Sequence, residues 1–129
     1  DLVLADLDLT HQFLIDRPRV DEVRALGGTV ARFAADLLEF FVNAYEVTYG
    51  EAVGPLHDPC SVLAVTHPHL FEWAPRHVAV EQYGELTRGM TVVDGRSGSM
   101  PAPPNTRVLT RIDAAGAYGA LLEALGSLP

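Results

Sequence analysis

The sequence predicts an α/β fold, because segments with the pattern of β-strands alternate along the chain with segments of helical periodicity. Val78 and Val80 alternate with their neighbours as in a half-buried strand. Residues 29–49 instead repeat apolar side chains about every 3.6 positions, which indicates a long amphipathic helix. A content of 48% hydrophobic and 20% charged residues is typical of a chain that folds around a core.

Helices are expected at residues 18–26, 29–49, 58–66 and 114–125. Gly27-Gly28 separates the first two, and Thr29 is predicted to cap the second. The third begins around His57-Asp58-Pro59, where the missing N–H of proline costs little. The periodicity of the long helix predicts that its buried face consists of Val30, Phe33, Ala34, Leu37, Leu38, Phe41, Ala44, Tyr45 and Thr48.

Strands are expected at residues 2–7, 76–83, 89–94 and 106–112, the first of them buried. Residues 50–56 are predicted to be a loop. Residues 95–105 contain two Gly, three Pro and two Ser, so they are predicted to be a loop and the best candidate for disorder. No internal boundary is visible, and residues 1–129 are treated as one domain or as a fragment of one.

The charge and the residue types restrict the function. Seventeen acidic and nine basic residues give a net charge of −8, which argues against nucleic acid or an anionic membrane as the main partner. All nine basic residues are arginine, so a catalytic lysine is excluded. The single cysteine, Cys60, excludes an internal disulfide, is expected to be a buried and inert thiol, and fits a reducing compartment, so we expect a cytoplasmic protein.

The segment Asp6-Leu-Asp8-Leu-Thr10 follows an apolar stretch. It resembles the nucleophile loop of haloacid-dehalogenase-like phosphatases, in which the first Asp attacks phosphorus. The alternative is structural, with the aspartates forming a turn at the end of a strand. The structural interpretation is favoured, because the chain lacks both the lysine and the later acidic pair that those phosphatases use.

The segment Gly54-Pro55-Leu56-His57-Asp58-Pro59 combines a carboxylate and an imidazole at a helix start. Asp58 is either the N-terminal cap of that helix or an oxygen ligand for a cation such as Ca²⁺. His57 is either a loop histidine bonded to the backbone or a general acid, since its ordinary pKa of about 6.5 allows it to hold a proton near neutrality.

Three aromatic residues, Phe41, Tyr45 and Tyr49, recur every four positions along the long helix and lead towards His57. Such a row is either part of the core or one wall of a ligand site. A wall of this kind would suit a flat heterocycle that needs a stacking surface and a few polar contacts. His67 and His69 are predicted to lie on the surface, and the sequence gives His11 no partner.

Several segments in order along the chain resemble the C-terminal part of the inosine-uridine preferring nucleoside hydrolases. These are LADLDLTHQ at residues 4–12, the aromatic helix, the Gly-Pro-Leu-His-Asp-Pro loop at residues 54–59, and GELTRGMTVVD at residues 84–94 with PNTRV at residues 104–108. The resemblance implies a mixed open sheet flanked by helices, and homo-oligomers such as dimers or tetramers. It implies hydrolysis of the N-glycosidic bond of ribonucleosides, with a nucleoside as the small-molecule partner.

The resemblance also implies roles for individual residues. Asp58 matches a Ca²⁺ ligand, and His57 matches the histidine implicated in protonating the leaving base. Phe41, Tyr45 and Tyr49 match the helix that borders the nucleobase pocket. In the family Ca²⁺ holds the ribose diol and an activated water.

One departure from the family pattern is expected to matter. The family's N-terminal D-x-D-x-G-x-D-D cluster, which supplies the other Ca²⁺ carboxylates and the general base, is absent from these residues. The sequence therefore corresponds to about the last two-fifths of such an enzyme, and alone it is expected to be inactive. The alternative is a non-catalytic remnant that serves as an interaction or oligomerisation module. If the partner strands of the sheet are missing, residues 2–7 are expected to present an unprotected apolar edge through which the chain self-associates.

Overall fold

The computed structural model describes residues 2–96 and 102–129. The helices, in chain order, are α1 Leu7–Thr10, α2 Arg17–Ala25, α3 Thr29–Tyr49, α4 His57–Thr66 and α5 Ala114–Gly126. The strands are β1 Val3–Leu4, β2 Leu14–Asp16, β3 Val53–Pro55, β4 Phe71–Val80, β5 Thr91–Asp94 and β6 Thr106–Ile112. A short 3₁₀ turn, Pro68–Leu70, precedes β4. The predicted α/β class is confirmed.

The main sheet is mixed, with the strand order β1-β6-β4-β5. β1 runs parallel to β6, whereas β4 is antiparallel to both β6 and β5. β2 and β3 form a separate antiparallel pair in which Leu14 faces Pro55. This small pair is important for the site, because it brings the chain after β3 back beside α1.

The prediction of a buried strand at residues 2–7 is wrong. Only Val3–Leu4 is a strand; it lies at the sheet edge, and Leu2 and Leu7 are more than half exposed. The strand stops because Asp6 caps α1, with its Oδ1 accepting from the N–H of Leu9 at 3.2 Å. The strand-like composition of the segment therefore gives way to a helix start.

The other strands show where tertiary pairing decides. The strand predicted at 106–112 is confirmed as β6. The strand predicted at 76–83 begins earlier, at Phe71, because that residue pairs with Ile112 of β6. The strand predicted at 89–94 is shorter, as β5. The loop predicted at 50–56 contains β3, and neither α1 nor β2 was expected.

The four predicted helices are confirmed, with bounds that differ by at most one residue. α3 has its N-cap at Gly28, which has a positive φ of 77°, so the predicted cap at Thr29 is wrong. Asp16 and Asp113 cap α2 and α5 through their side chains. Tyr118 of α5 donates its hydroxyl to the carbonyl of Arg19 at 2.6 Å, and burial raises the pKa of this tyrosine to about 12.

The buried face of α3 differs from the predicted one. Its fully buried positions are Ala31, Ala35 and Val42. Phe33 and Leu37, which were predicted to be buried, are more than half exposed. The apolar residues of α3 cover a wider arc than one contact needs, so periodicity alone does not select the face that packs.

The core lies where α2, α3, α4 and α5 meet the small β2–β3 pair. Its largest fully buried side chains are Phe13, Leu9, Ile15, Val23, Val42 and Cys60. Burial raises the pKa of the Cys60 thiol, which donates to the carbonyl of Leu56 at 3.2 Å. The prediction of a buried cysteine is confirmed.

Two predictions concern the remaining chain. Residues 97–101, the middle of the predicted loop at 95–105, lie outside the described residues, so the expectation of disorder there stays a prediction. Within residues 2–96 and 102–129, no helix combines the length and the apolar character that a membrane crossing requires.

Candidate functional site

A cavity of about 580 Å³ opens beside the C-terminal end of α3. It is lined by residues of α1, β2, α3, β3 and α4 and of the turns between them, among them His11, Tyr45, Tyr49, Glu51 and His57. Its size is within the range of pockets that hold small organic ligands, roughly 300–1,000 Å³. Two tyrosines, two imidazoles and one carboxylate around one cavity make it the candidate functional site.

The three aromatic residues of α3 form a continuous row. The ring centroids of Phe41 and Tyr45 are 4.8 Å apart, and those of Tyr45 and Tyr49 are 4.9 Å apart, with tilted planes in both pairs. Tyr45 and Tyr49 line the cavity. Phe41 does not line it: its ring packs against Gly54 of β3 and against the core. The row therefore begins in the core and ends at the cavity.

His57 is the first residue of α4, and the β2–β3 pair determines where it lies. Pro55 is paired with Leu14, and the N–H of Leu56 donates to the carbonyl of Phe13 at 2.8 Å. These bonds hold the start of α4 beside the end of α1. His57 Nδ1 consequently lies 2.8 Å from the hydroxyl oxygen of Thr10.

His11 follows Thr10 directly and reaches the same cavity. Its ring centroid is 5.6 Å from that of His57, with the planes inclined at 52°. The cavity is thus bordered by two imidazoles from segments far apart in the sequence.

Asp58 lies in the first turn of α4 and is not its N-cap. The cap position belongs to Leu56, which makes no side-chain bond to the helix, so the prediction that Asp58 is a cap is wrong. A carboxylate in the first turn is still favourable, because it faces the positive end of the helix dipole. The side chain is exposed and does not line the cavity.

The described residues do not form a complete Ca²⁺ site. Within residues 2–96 and 102–129 there is no group of three or more His, Cys, Asp or Glu side chains that could hold a metal ion. Ca²⁺ takes about six to eight oxygen ligands. Asp58 can supply a carboxylate, and the other ligands would have to come from outside the described residues.

The Asp6-Leu-Asp8-Leu-Thr10 segment is explained by the fold. Asp6 is the N-cap of α1, and Thr10 contacts His57. Gln12, just beyond the segment, donates its side-chain N–H to the carbonyls of Asp8 and Thr110, at 3.0 and 3.1 Å. The position of Asp6 as a helix cap therefore explains this residue without a role as the nucleophile that accepts a phosphoryl group.

A larger cavity, of about 840 Å³, lies over the main sheet. Its walls include Leu4, Met90, Val93 and Val108, and its lining is mostly apolar. Asp6 also lies there, but its carboxylate caps α1. Asp8 and Arg76 line this larger cavity as well. We consider the smaller cavity the functional site, because the rings of His11 and His57 contact each other there beside two tyrosines.

Sequence analysis missed Thr10, His11 and Glu51 as residues of the site. The sequence offers one local indication of these residues: Thr10 and His11 lie at the end of a short helix that Asp6 caps. What brings Thr10 to His57 is a contact across 47 positions of sequence. His69, predicted to lie on the surface, is exposed, and His67 is half-buried with its Nδ1 2.9 Å from Thr66 Oγ1.

Comparisons with known sequences show which family the chain is similar to. The family model described as "Inosine-uridine preferring nucleoside hydrolase" matches residues 1–119. The chain is 40% identical over 125 residues to the pyrimidine-specific ribonucleoside hydrolase RihA of Enterobacter sp. (strain 638), and 39% identical over 127 residues to RihA of Salmonella newport (strain SL254). Each match covers 96% of this chain but 40% of the relative, so the chain spans two-fifths of those proteins.

Solved structures show the same fold. The purine-preferring ribonucleoside hydrolase from Gardnerella vaginalis superposes with a TM-score of 0.81 at 26% identity, covering 97% of this chain and 39% of that one. A plant nucleoside hydrolase, PpNRh1, superposes with a TM-score of 0.82 at 18% identity, covering 100% of this chain and 42% of that one. At 18% identity the second match supports the fold alone.

Proposed function

Because the chain belongs to the inosine-uridine preferring nucleoside hydrolase family, we propose that it takes part in hydrolysing the N-glycosidic bond of ribonucleosides to ribose and free base. The observation that carries the proposal is the meeting of Tyr45, Tyr49 and His57 around one cavity. The family is one of hydrolases. The substrate, the residue roles, the metal and the assembly are the parts that we propose.

The base of the nucleoside is proposed to lie against Tyr45 and Tyr49. Their rings offer flat apolar surfaces, and their hydroxyls offer polar contacts to a heterocycle. Phe41, behind them, supports the row from the core and is not among the residues that line the cavity. The tilted ring contacts within the row join the three side chains into one aromatic surface.

His57 is proposed to be the general acid for the leaving base. The base leaves with an excess of electrons on a ring nitrogen, and a proton supplied there lowers the barrier to cleavage. His57 lines the cavity in which that base would lie, and its Nδ1 is already engaged by Thr10. Nε2 is then the ring nitrogen that can donate. The acid is the protonated ring, whose Nδ1–H donates to the Thr10 oxygen, and the ring becomes neutral when the leaving base takes the Nε2 proton.

Ca²⁺ is proposed as the cofactor, with Asp58 as one ligand. When bound, the ion would hold the ribose hydroxyls and lower the pKa of the attacking water. The remaining ligands and the general base are proposed to come from the part of the family fold that this chain does not span. On this proposal, the chain alone releases no ribose.

The alternative, a non-catalytic interaction or oligomerisation module, is favoured by one specific observation. Phe33, Leu37, Phe40 and Val47 form an exposed apolar row on α3. In the hydrolase, the same row would be covered by the rest of the fold or by a second copy in a dimer or tetramer. We further propose a cytoplasmic protein that binds neither nucleic acid nor membrane, on the basis of its net charge of −8 and its single cysteine.

The first experiment measures ribose release from uridine, cytidine and inosine, with added Ca²⁺ or with a chelator. The samples are the purified chain and a chimera in which it replaces the matching part of Enterobacter RihA. We expect no release from the chain alone, and chelator-sensitive release from the chimera. The pyrimidine nucleosides are included because both RihA relatives are pyrimidine-specific.

The role of Asp58 is tested in the same chimera by Asp58→Asn, which keeps the size of the side chain and removes its charge. It should require more Ca²⁺ for the same rate. An inactive chimera that is folded and binds Ca²⁺ would contradict the proposed roles and favour the interaction module. An unchanged Ca²⁺ requirement would remove Asp58 from the ligand set.

A further inference from the structure

We propose that Thr10 is a positioning residue whose hydroxyl fixes the ring orientation and the tautomer of His57, so that the N–H of Nε2 is presented to the cavity. Its importance for hydrolysis rests on the function proposed above. The contact itself can be tested without any activity.

The hydroxyl of Thr10 has one proton and two possible acceptors. His57 Nδ1 lies 2.8 Å from Thr10 Oγ1, and the carbonyl of Leu7 lies 3.5 Å from it. The shorter distance is typical of a hydrogen bond from a hydroxyl, whereas the longer one is at the limit of such bonds. The proposal assigns the hydroxyl proton to Nδ1, the nearer acceptor, so that Nε2 carries the hydrogen in the neutral ring. In the opposite assignment the hydroxyl donates to Leu7 and Nδ1 carries the hydrogen; that is the result that would overturn the proposal.

The position of Thr10 is well defined, which suits a positioning role. Only 3% of its surface is exposed, so water does not compete for its hydroxyl. Asp6 caps the start of its helix, and Leu9 beside it is fully buried in the core. Gln12 ties the end of the same helix to Thr110 of β6.

His11 does not replace this contact. It approaches His57 with its ring centroid at 5.6 Å and its plane inclined, which is a ring contact and not a hydrogen bond to Nδ1. Thr10 is thus the side chain that bonds the Nδ1 of His57 within the described part of the chain. A carboxylate or a carbonyl that partners a functional histidine accepts from its N–H; here a buried hydroxyl would instead donate to Nδ1.

The test is nuclear magnetic resonance of the whole chain, labelled with ¹⁵N, about two pH units above the ordinary histidine pKa of about 6.5, where an ordinary imidazole is neutral. The difference between the ¹⁵N shifts of Nδ1 and Nε2 reports the tautomer. In the wild type we expect a large difference with the hydrogen on Nε2, and a slowly exchanging Thr10 hydroxyl proton close to the His57 ring.

Thr10→Val, which keeps the shape and removes the hydroxyl, should lose that proton and reduce the difference between the two ¹⁵N shifts. Thr10→Ser, which keeps the hydroxyl, should restore both signals. The His57 resonances are assigned by their loss in His57→Gln. Circular dichroism of each variant verifies the fold.

Two threonines provide matched controls. Thr106 is also buried but lies on β6, so Thr106→Val removes a buried hydroxyl away from His57. Thr66 contacts a different imidazole, that of His67, so Thr66→Val should alter only His67. Both variants should leave the His57 signals unchanged.

The proposal is overturned if wild-type His57 carries its hydrogen on Nδ1, or if folded Thr10→Val leaves the His57 ring shifts unchanged. Should Thr10→Val fail to fold, the wild-type tautomer and the Thr10→Ser spectrum still decide the matter. Because ring shifts are measured on the free chain, an absence of nucleoside hydrolysis would contradict the proposed function without altering this result.

Discussion

At the scale of single residues, neighbouring side chains at the candidate site make different contacts. Asp6 caps α1, Thr10 contacts His57, and His11 borders the cavity, although all three come from one short segment. The same segment resembles a phosphatase nucleophile loop when only its residue types are considered. Its geometry instead serves an imidazole that lies 47 positions further along the chain.

The acid role of His57 predicts a dependence on the leaving group. In the active chimera, His57→Ala should slow hydrolysis of nucleosides by about 10²-fold or more, since general acid catalysis contributes roughly 10²–10⁴-fold. The loss should be much smaller for p-nitrophenyl riboside, whose leaving group needs no proton. Steady-state kcat/KM for both substrates provides the measurement.

The control for this prediction is His69→Ala, which removes an exposed imidazole that does not line the cavity. It should leave both rates unchanged. Equal losses on the two substrates in His57→Ala would show that His57 supports the site in some way other than by donating a proton.

At the scale of elements, α3 packs closely against β3 because Gly54 has no side chain. A Cβ at Gly54 would lie 2.5 Å from the ring of Phe41, which is closer than carbon atoms approach. Phe41 in turn contacts Tyr45, and Tyr45 contacts Tyr49. The small β2–β3 pair therefore determines both where His57 lies and how near the aromatic row it lies.

Gly54→Ala should lower the free energy of unfolding by about 1–3 kcal/mol, because the added methyl group overpacks the contact with Phe41. Urea unfolding followed by circular dichroism measures this change. The displaced ring should also alter the environments of Tyr45 and Tyr49, visible as changed tyrosine ring resonances.

Gly119→Ala is the matched substitution. Gly119 lies inside α5, and a Cβ there would meet nothing within 4 Å. This variant should gain about 0.5–1 kcal/mol, since alanine loses less backbone entropy in a helix than glycine does. A Gly54→Ala protein as stable as the wild type would mean that the ring of Phe41 moves aside freely.

At the scale of the whole molecule, the fold leaves apolar surface uncovered. β1 is an edge strand with Leu2 and Val3 exposed, and α3 presents its apolar row to solvent. Patches of this kind on a folded chain mark surfaces that another segment or another copy covers. The chain spans two-fifths of its RihA relatives, which is consistent with cover from the rest of such a fold.

The free chain should therefore self-associate as its concentration rises. Size-exclusion chromatography with light scattering should give a mass above 13.9 kDa that increases with loading. Phe40→Glu, at a position 75% exposed, should lower that mass. Gln82→Glu adds the same charge at an exposed polar position outside α3 and should have little effect; a monomer at every concentration would contradict the prediction.

The sequence by itself determined the elements whose signals are local. The bounds of α3 and β6 follow from periodicity and alternation, which act through neighbouring residues. The motif at residues 54–59 and the aromatic spacing identified His57, Tyr45 and Tyr49, and the structure brings these three to one cavity.

Only the tertiary structure decided which surfaces meet. It selected Ala31, Ala35 and Val42 as the buried face of α3, extended β4 back to Phe71 by pairing with β6, and placed Thr10 against His57. Burial and long-range pairing depend on what another part of the chain presents. A local pattern can show that a face is apolar, but the partner that packs on it is determined by the fold.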